Sequence, residues 1–110
     1  MVIHYKSNRL KKQLTIPKEI AKSFGQRAKK VNQRMKELIA ADDLGVMRTI
    51  PAANCHELAG TRKGELAVDV SANFRLIFEP NHDPIPEKED GGLDWDAVTE
   101  IQIVEIGDYH

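Results

Sequence analysis

Between residues 16 and 38 the apolar side chains recur at helical intervals. Ile16, Ile20, Phe24, Val31, Met35 and Leu38 follow one another at spacings of four, four, seven, four and three. They make one stripe of a helix surface, and Lys22, Arg27, Lys29, Lys30, Arg34 and Lys36 fall on its polar side. Pro17 suits the first turn of a helix, where its missing N–H costs nothing. Gly25 interrupts the stripe and predicts a break between two helices, over residues 17–24 and 26–41. Ahead of them, residues 1–5 (MVIHY) read as a short strand, and the polar, basic residues 6–13 (KSNRLKKQ) as one or two helical turns. Residues 42–53 form a connector marked by Gly and Pro, and beyond it the period changes to two. Residues 56–58 are a short candidate strand and residues 60–64 (GTRKG) a tight basic turn. Residues 65–70 alternate Leu66, Val68 and Val70 against polar positions, and 73–79 are rich in β-formers. Residues 100–106 alternate Ile101 and Ile103, then, after a shift of one, Val104 and Ile106. Helices followed by a run of strands predict an α+β fold, with the N-terminal helices packed on one face of a small antiparallel sheet.

Residues 80–98 break both periods. Three prolines, Gly91-Gly92 and six acidic residues predict a long acidic loop, with Trp95 as the side chain that pins it to the body. A loop of that length inside a compact domain is either functional or partly mobile. The whole chain, at 110 residues and 41% hydrophobic, suits one domain with one core. Its single cysteine, Cys55, excludes an internal disulfide and reads as a small buried hydrophobe. With no long apolar run and no signal-peptide pattern, the expectation is a soluble, cytoplasmic protein without membrane contact. The net charge of −1 hides an asymmetry. Residues 1–79 carry 15 basic and 8 acidic side chains, whereas 80–110 carry 1 basic and 9 acidic. A basic body with an acidic appendage points to a polyanionic partner; the ordinary alternative is a set of solvated helix faces.

The stretch 55–78, CHELAGTRKGELAVDVSANFRLIF, resembles the plasmid maintenance killer proteins, the HigB branch of the RelE/ParE toxin superfamily. The shared pattern is a His-x-Leu, a Gly-x-Arg-Lys-Gly turn, an amphipathic strand, and an Arg-bearing strand ending in Phe. The closing residues 104–110, VEIGDYH, match again, and the basic N-terminal helices fit as well, so the resemblance spans nearly the whole chain. Two departures are the insertion at 80–98 and Phe74, where the family more often has Trp. The resemblance implies a single RelE-like domain over residues 1–110. It implies a type II toxin that cuts mRNA on the ribosome without metal or cofactor, is a monomer by itself, and is neutralised by a HigA-like helix-turn-helix antitoxin.

That chemistry requires a base for the 2′-hydroxyl, an acid for the departing 5′-oxygen and cations around the phosphorane. The candidates are His56, Arg75, Asp108, Tyr109 and His110 for catalysis, and Arg62, Lys63, Lys29 and Lys30 for RNA binding. Each has a plainer reading. His110 would be a frayed terminus and Asp108 a solvated strand end. Tyr109 would cover the sheet edge, and His56 would be a structural histidine. Arg62 and Lys63 would solubilise a hairpin tip, and Arg75 would pair across strands with Asp69. His4 and His82 read as surface histidines. No metal-ligand spacing, phosphate-cradling glycine loop or Ser/His/Asp motif is present. Two other functions stay open. One is a non-enzymatic toxin like the gyrase-poisoning ParE branch, which lacks the Asp-Tyr-His ending. The other is an inactive regulatory subunit whose acidic loop shields the basic face.

Overall fold

A computed structural model of the chain describes residues 1–108. Strand β1 (Val2–Tyr5) leads into three helices, α1 (Asn8–Thr15), α2 (Pro17–Phe24) and α3 (Ala28–Ala40). Short 3-10 turns (Leu44–Thr49, Pro51–Ala53) carry the chain to β2 (His56–Glu57), and then follow β3 (Leu66–Ser71), β4 (Phe74–Pro80) and β5 (Glu100–Asp108). The α1 start is fixed by Ser7, whose Oγ accepts a hydrogen bond from the Leu10 N–H at 3.1 Å. Gly25, at φ +52, ends α2, and a 3-10 turn (Gly25–Arg27) separates it from α3, so the glycine does mark a break.

The sheet order is β1-β5-β4-β3-β2. Three pairings are antiparallel, as expected, but β1 joins β5 in parallel, from Val2 opposite Glu100 to Tyr5 opposite Ile103, so the sheet is mixed. The helices cover one face. Leu66, Val68 and Val70 of β3, Leu76 and Phe78 of β4, and Ile101 and Ile103 of β5 form one core with Leu14, Ile20, Val31, Met35 and Leu38. The connector adds Leu44 and Met47, both fully buried. In β5 the register slips: Ile77 faces Glu105 while its neighbour Phe78 faces Ile103, leaving Val104 as the extra residue of a bulge. The break in the Ile101/Ile103, Val104/Ile106 alternation is the sequence trace of that bulge.

Arg34 does not join the polar helix face. It is 7% exposed, because it lies three residues after Val31 and four before Leu38 on the core-facing side. Its burial is matched by hydrogen bonds to the Asp69 carbonyl (2.7 Å), the Ala52 carbonyl (3.0 Å) and Glu37 Oε1 (2.9 Å).

The acidic segment after Pro80 is folded against the body. Leu93 bridges to Glu87, and backbone bonds Lys88 N–H to Gly92 O (2.7 Å) and Asp94 N–H to Pro86 O (3.0 Å) close a small hairpin. His82, expected to be a surface histidine, closes its base: Nε2 accepts from the Thr99 and Glu100 N–H groups at 3.1 and 3.2 Å. Trp95 is the anchor. It is 5% exposed, its Nε1 donates to Glu57 Oε2 at 3.2 Å, and the Arg48 guanidinium lies 3.8 Å above its ring. Trp95→Ala should therefore cost about 3 kcal/mol of unfolding free energy in urea, followed by circular dichroism. A loss below about 1 kcal/mol would mean that the hairpin is held elsewhere.

Candidate nucleic-acid interface

The face of the sheet away from the helices carries the polar chemistry. Register sets His56 (β2), Ala67 (β3), Ile77 (β4) and Glu105 (β5) in one row, and Asp69, Arg75 and Gly107 in the next. Three strand-to-strand steps separate the backbones of His56 and Glu105 by about 14 Å. The basic turn lies over this row. Arg62 donates through Nη1 to Glu65 Oε1 at 2.8 Å and through Nη2 to Glu105 Oε2, bridging over β4, where Ile77 is 1% exposed. Its hydrogen bonds to Glu65 and then Glu105 raise its pKa further above the ordinary arginine value. Glycines at positive φ, Gly60 (+66) and Gly64 (+97), bend the chain on either side of it. Lys63 is exposed beside Arg62 and is in no ion pair among the described residues.

His56 has a defined tautomer. Its Nδ1 lies 2.7 Å from the backbone oxygen of Asn54, which can only accept, so Nδ1 carries the hydrogen and the neutral ring keeps its lone pair on Nε2. Asn54 adopts a left-handed conformation (φ 43, ψ 52), and its side-chain amide donates to Asp69 Oδ2 at 3.0 Å. Sequence reasoning missed this link between β2 and β3; its only sequence signal is an Asn placed just after Pro-Ala-Ala, where a turn must reverse.

Arg75 pairs with Asp69, directly opposite in the ladder, with Nε 3.4 Å from Oδ1. The contact is too long for a strong hydrogen bond and leaves both of those buried atoms without one. The cross-strand pairing was the plainer reading of Arg75, and it coexists with a position one row from His56.

The remaining candidates are dispersed. Lys29 and Lys30 are exposed at the start of α3, in the helical layer and thus on the other side of the sheet from His56 and Arg75. Nearer the polar face, Lys6 and Arg9 share a hollow with Val104, Glu105 and Ile106, and Arg9 continues into a basic hollow with Lys12 and Lys22. These residues were legible as a basic segment but not as neighbours of β5. Asp108 stands opposite Phe74 and alternates with Ile106, which packs on the core, so it turns to the helix side and away from His56. Phe74 itself lies edge-on to Phe24 (6.1 Å) under the Arg27 guanidinium (4.4 Å). Tyr109 and His110 lie outside the described residues. Among the described residues no group of three or more His, Cys, Asp or Glu is arranged to hold a metal ion, and no helix is long and apolar enough to cross a membrane.

A three-helix layer on a five-stranded mixed sheet with a polar open face is the RelE/YoeB-like toxin fold. The chain is similar to a YoeB/ParE toxin from Agrobacterium tumefaciens, with a TM-score of 0.55 and 8% identity over 100% of both chains. It is similar also to a YafQ mutant from E. coli with a histidine replaced by glutamine, with a TM-score of 0.54 and 18% identity over 96% of this chain and 90% of that one. At identities this low the likeness shows the fold alone. No protein-family model and no curated protein sequence matches the chain.

Next to His56, burial pushes the Cys55 thiol up to about 12, an effect that the nearby Arg48 charge only partly offsets. Since the thiolate is the nucleophile, Cys55 should resist iodoacetamide at pH 8 in the folded protein and react readily in urea, as read by mass spectrometry. The raised value also carries a sign for stability. The half-buried thiol contributes fully below about pH 9, where a free thiol begins to ionise, and the contribution is lost as pH rises from 9 toward 12. Rapid alkylation of the native chain at pH 8 would contradict the burial.

Proposed function

We propose that the chain is the toxin of a type II toxin–antitoxin pair, of the HigB kind, which cuts mRNA on the ribosome without a metal or cofactor. The observation that carries this reading is His56. Its Nδ1–H is committed to the Asn54 carbonyl and its Nε2 is left as the acceptor, on the same face as Arg75, which stands two strands away and one row along. The fold shared with a YoeB/ParE toxin supports it, as does the resemblance of residues 55–78 and 104–110 to killer proteins.

In this reading His56 Nε2 takes the proton of a ribose 2′-hydroxyl. That oxygen attacks the adjacent phosphorus, the bond to the 5′-oxygen breaks, and the products are a 2′,3′-cyclic phosphate and a 5′-hydroxyl. The proton that the leaving oxygen needs comes from the Asp108-Tyr109-His110 end, with the His110 imidazolium as the acid. Arg75 and Arg62 balance the charge that grows on the phosphorane, as preorganised cations do. Lys63 holds a flanking phosphate, whereas Lys29 and Lys30, on the helical side of the sheet, would meet only RNA that passes around the domain. The partners are mRNA in the ribosome and a HigA-like helix-turn-helix antitoxin, and the site of action is the cytoplasm.

The test is mapping of cellular mRNA 5′ ends after brief induction of the wild type and of His56→Ala, Arg75→Lys and His110→Ala, each shown by circular dichroism to fold. New ends inside translated frames are expected for the wild type. They should fall by roughly 100-fold or more in the histidine variants and by a similar factor in Arg75→Lys, which cannot form a planar bidentate contact. Growth arrest without new ends would sink the nuclease reading and favour a non-enzymatic toxin like the ParE branch. Neither arrest nor cutting would favour a regulatory subunit.

A further inference from the structure

The acidic hairpin and the basic turn enclose a groove that the nuclease reading touches only at Lys63. It has a volume of about 440 Å³ and runs past the ends of β2, β3 and β4. Its apolar surface comes from Leu58, Leu66, Pro80, Ile85 and Leu93. Ile85 is 42% exposed at its lip. Prolines on both sides of Ile85 fix two backbone φ angles, so this apolar lip is held ready and little ordering entropy is lost on contact.

The charges on the groove decide its partner. Three carboxylates, Glu57, Glu79 and Glu87, line it against one cation, Lys63. Glu57 and Glu79 receive hydrogen bonds from neutral donors, the Trp95 indole and the Gln102 amide (3.2 and 3.1 Å), which leave their charges uncompensated. Glu87 has no ion-pair partner among the described residues, where the one ion pair within the hairpin joins Lys88 to Asp90 at 3.7 Å. Among the described residues no ion pair ties the hairpin to the basic helices. A net negative rim repels a phosphate backbone and attracts lysine or arginine. The volume admits one or two large side chains and not a helix about 10 Å across.

We infer that this groove docks an extended segment of a protein partner, one that inserts a large apolar side chain and sets lysine or arginine against Glu87 and Glu79. It is a second interface, at the hairpin end of the sheet, which meets the open face at Lys63 and Glu79, and it goes beyond the RNA chemistry proposed above without depending on it.

The test is an NMR titration of the full, nitrogen-labelled chain at low salt with three probes. These are the capped pentapeptide Lys-Lys-Leu-Arg-Lys, its acidic counterpart Glu-Glu-Leu-Asp-Glu, and a single-stranded oligoadenylate. The basic peptide should shift the amides of Leu58, Gly91 and Leu93 saturably, and added salt should weaken it; the acidic peptide and the RNA should leave those amides in place. Ile85→Ser and Glu87→Lys alter exposed side chains and should preserve the fold, yet each should weaken the basic peptide by roughly threefold or more. Equal shifts from the acidic peptide, shifts of these amides by RNA, no saturable shift from the basic peptide, or unchanged binding by both variants would each overturn the inference. No ribosome or mRNA enters this measurement, so it fails or succeeds separately from the nuclease test.

Discussion

The last strand to be made is held on both sides. β5 pairs with β4 from Pro80 opposite Ile101 to Phe74 opposite Asp108, and with β1 along its first half. Strand β1 is thereby the edge strand held by β5, and β5 is an interior strand. Ile101 and Ile103 are fully buried beneath the helices. The bulge at Val104 then changes which residues look outward. With unbroken alternation Glu105 would follow Ile101 and Ile103 into the core, and Val104 and Ile106 would face water. One extra residue reverses this, so that Ile106 packs inward and Glu105 meets Arg62 on the open face. The meeting of Glu105 with Arg62 over Ile77 therefore depends on one inserted residue in one interior strand.

Much of this was legible because local physics decides it. Pro17 and Gly25 bound α2 where a proline's missing donor and a glycine's positive φ require. Over residues 66–70 the alternation placed Leu66, Val68 and Val70 in the core, but its other side is not all surface, since Ala67 is fully buried. What could not be read came from contacts between distant segments. A parallel β1–β5 pair joins residues about a hundred positions apart and has no turn signature. Arg34 counts as a surface cation until β3 and the connector supply the two carbonyls that accept from it. His82 has no periodicity to betray it, since its role is to accept two N–H groups at the foot of a loop. For the candidate site, the residue types on the open face were readable from motif and chemistry. The tautomer of His56, the Asn54–Asp69 link and the turning of Asp108 to the helix side needed the fold.

The arginines divide by what holds them, and that division bears on how the open face meets a polyanion. Arg34 is buried and bound to two carbonyls and a carboxylate, so removing it leaves acceptors stranded in the core, a cost of the order of 1–3 kcal/mol for each group. Arg62 and Arg75 are about a third exposed and face carboxylates. Pairs with that much solvent contribute about 0–1 kcal/mol each. An RNA phosphate reaching Arg62 would exchange one charge-assisted contact for another, losing little and gaining the release of counterions along its length. A small monoanion would gain no such release and would compete poorly with a tethered Glu65 or Glu105. Weak internal pairing thus favours long polyanions over the small anions around them, and it makes the difference depend on salt. The groove behind the turn has the opposite character, with uncompensated carboxylates around an apolar floor. The two surfaces meet at residues 60–64, where Lys63 belongs to both, and on the two proposals made above they would select ligands of opposite charge.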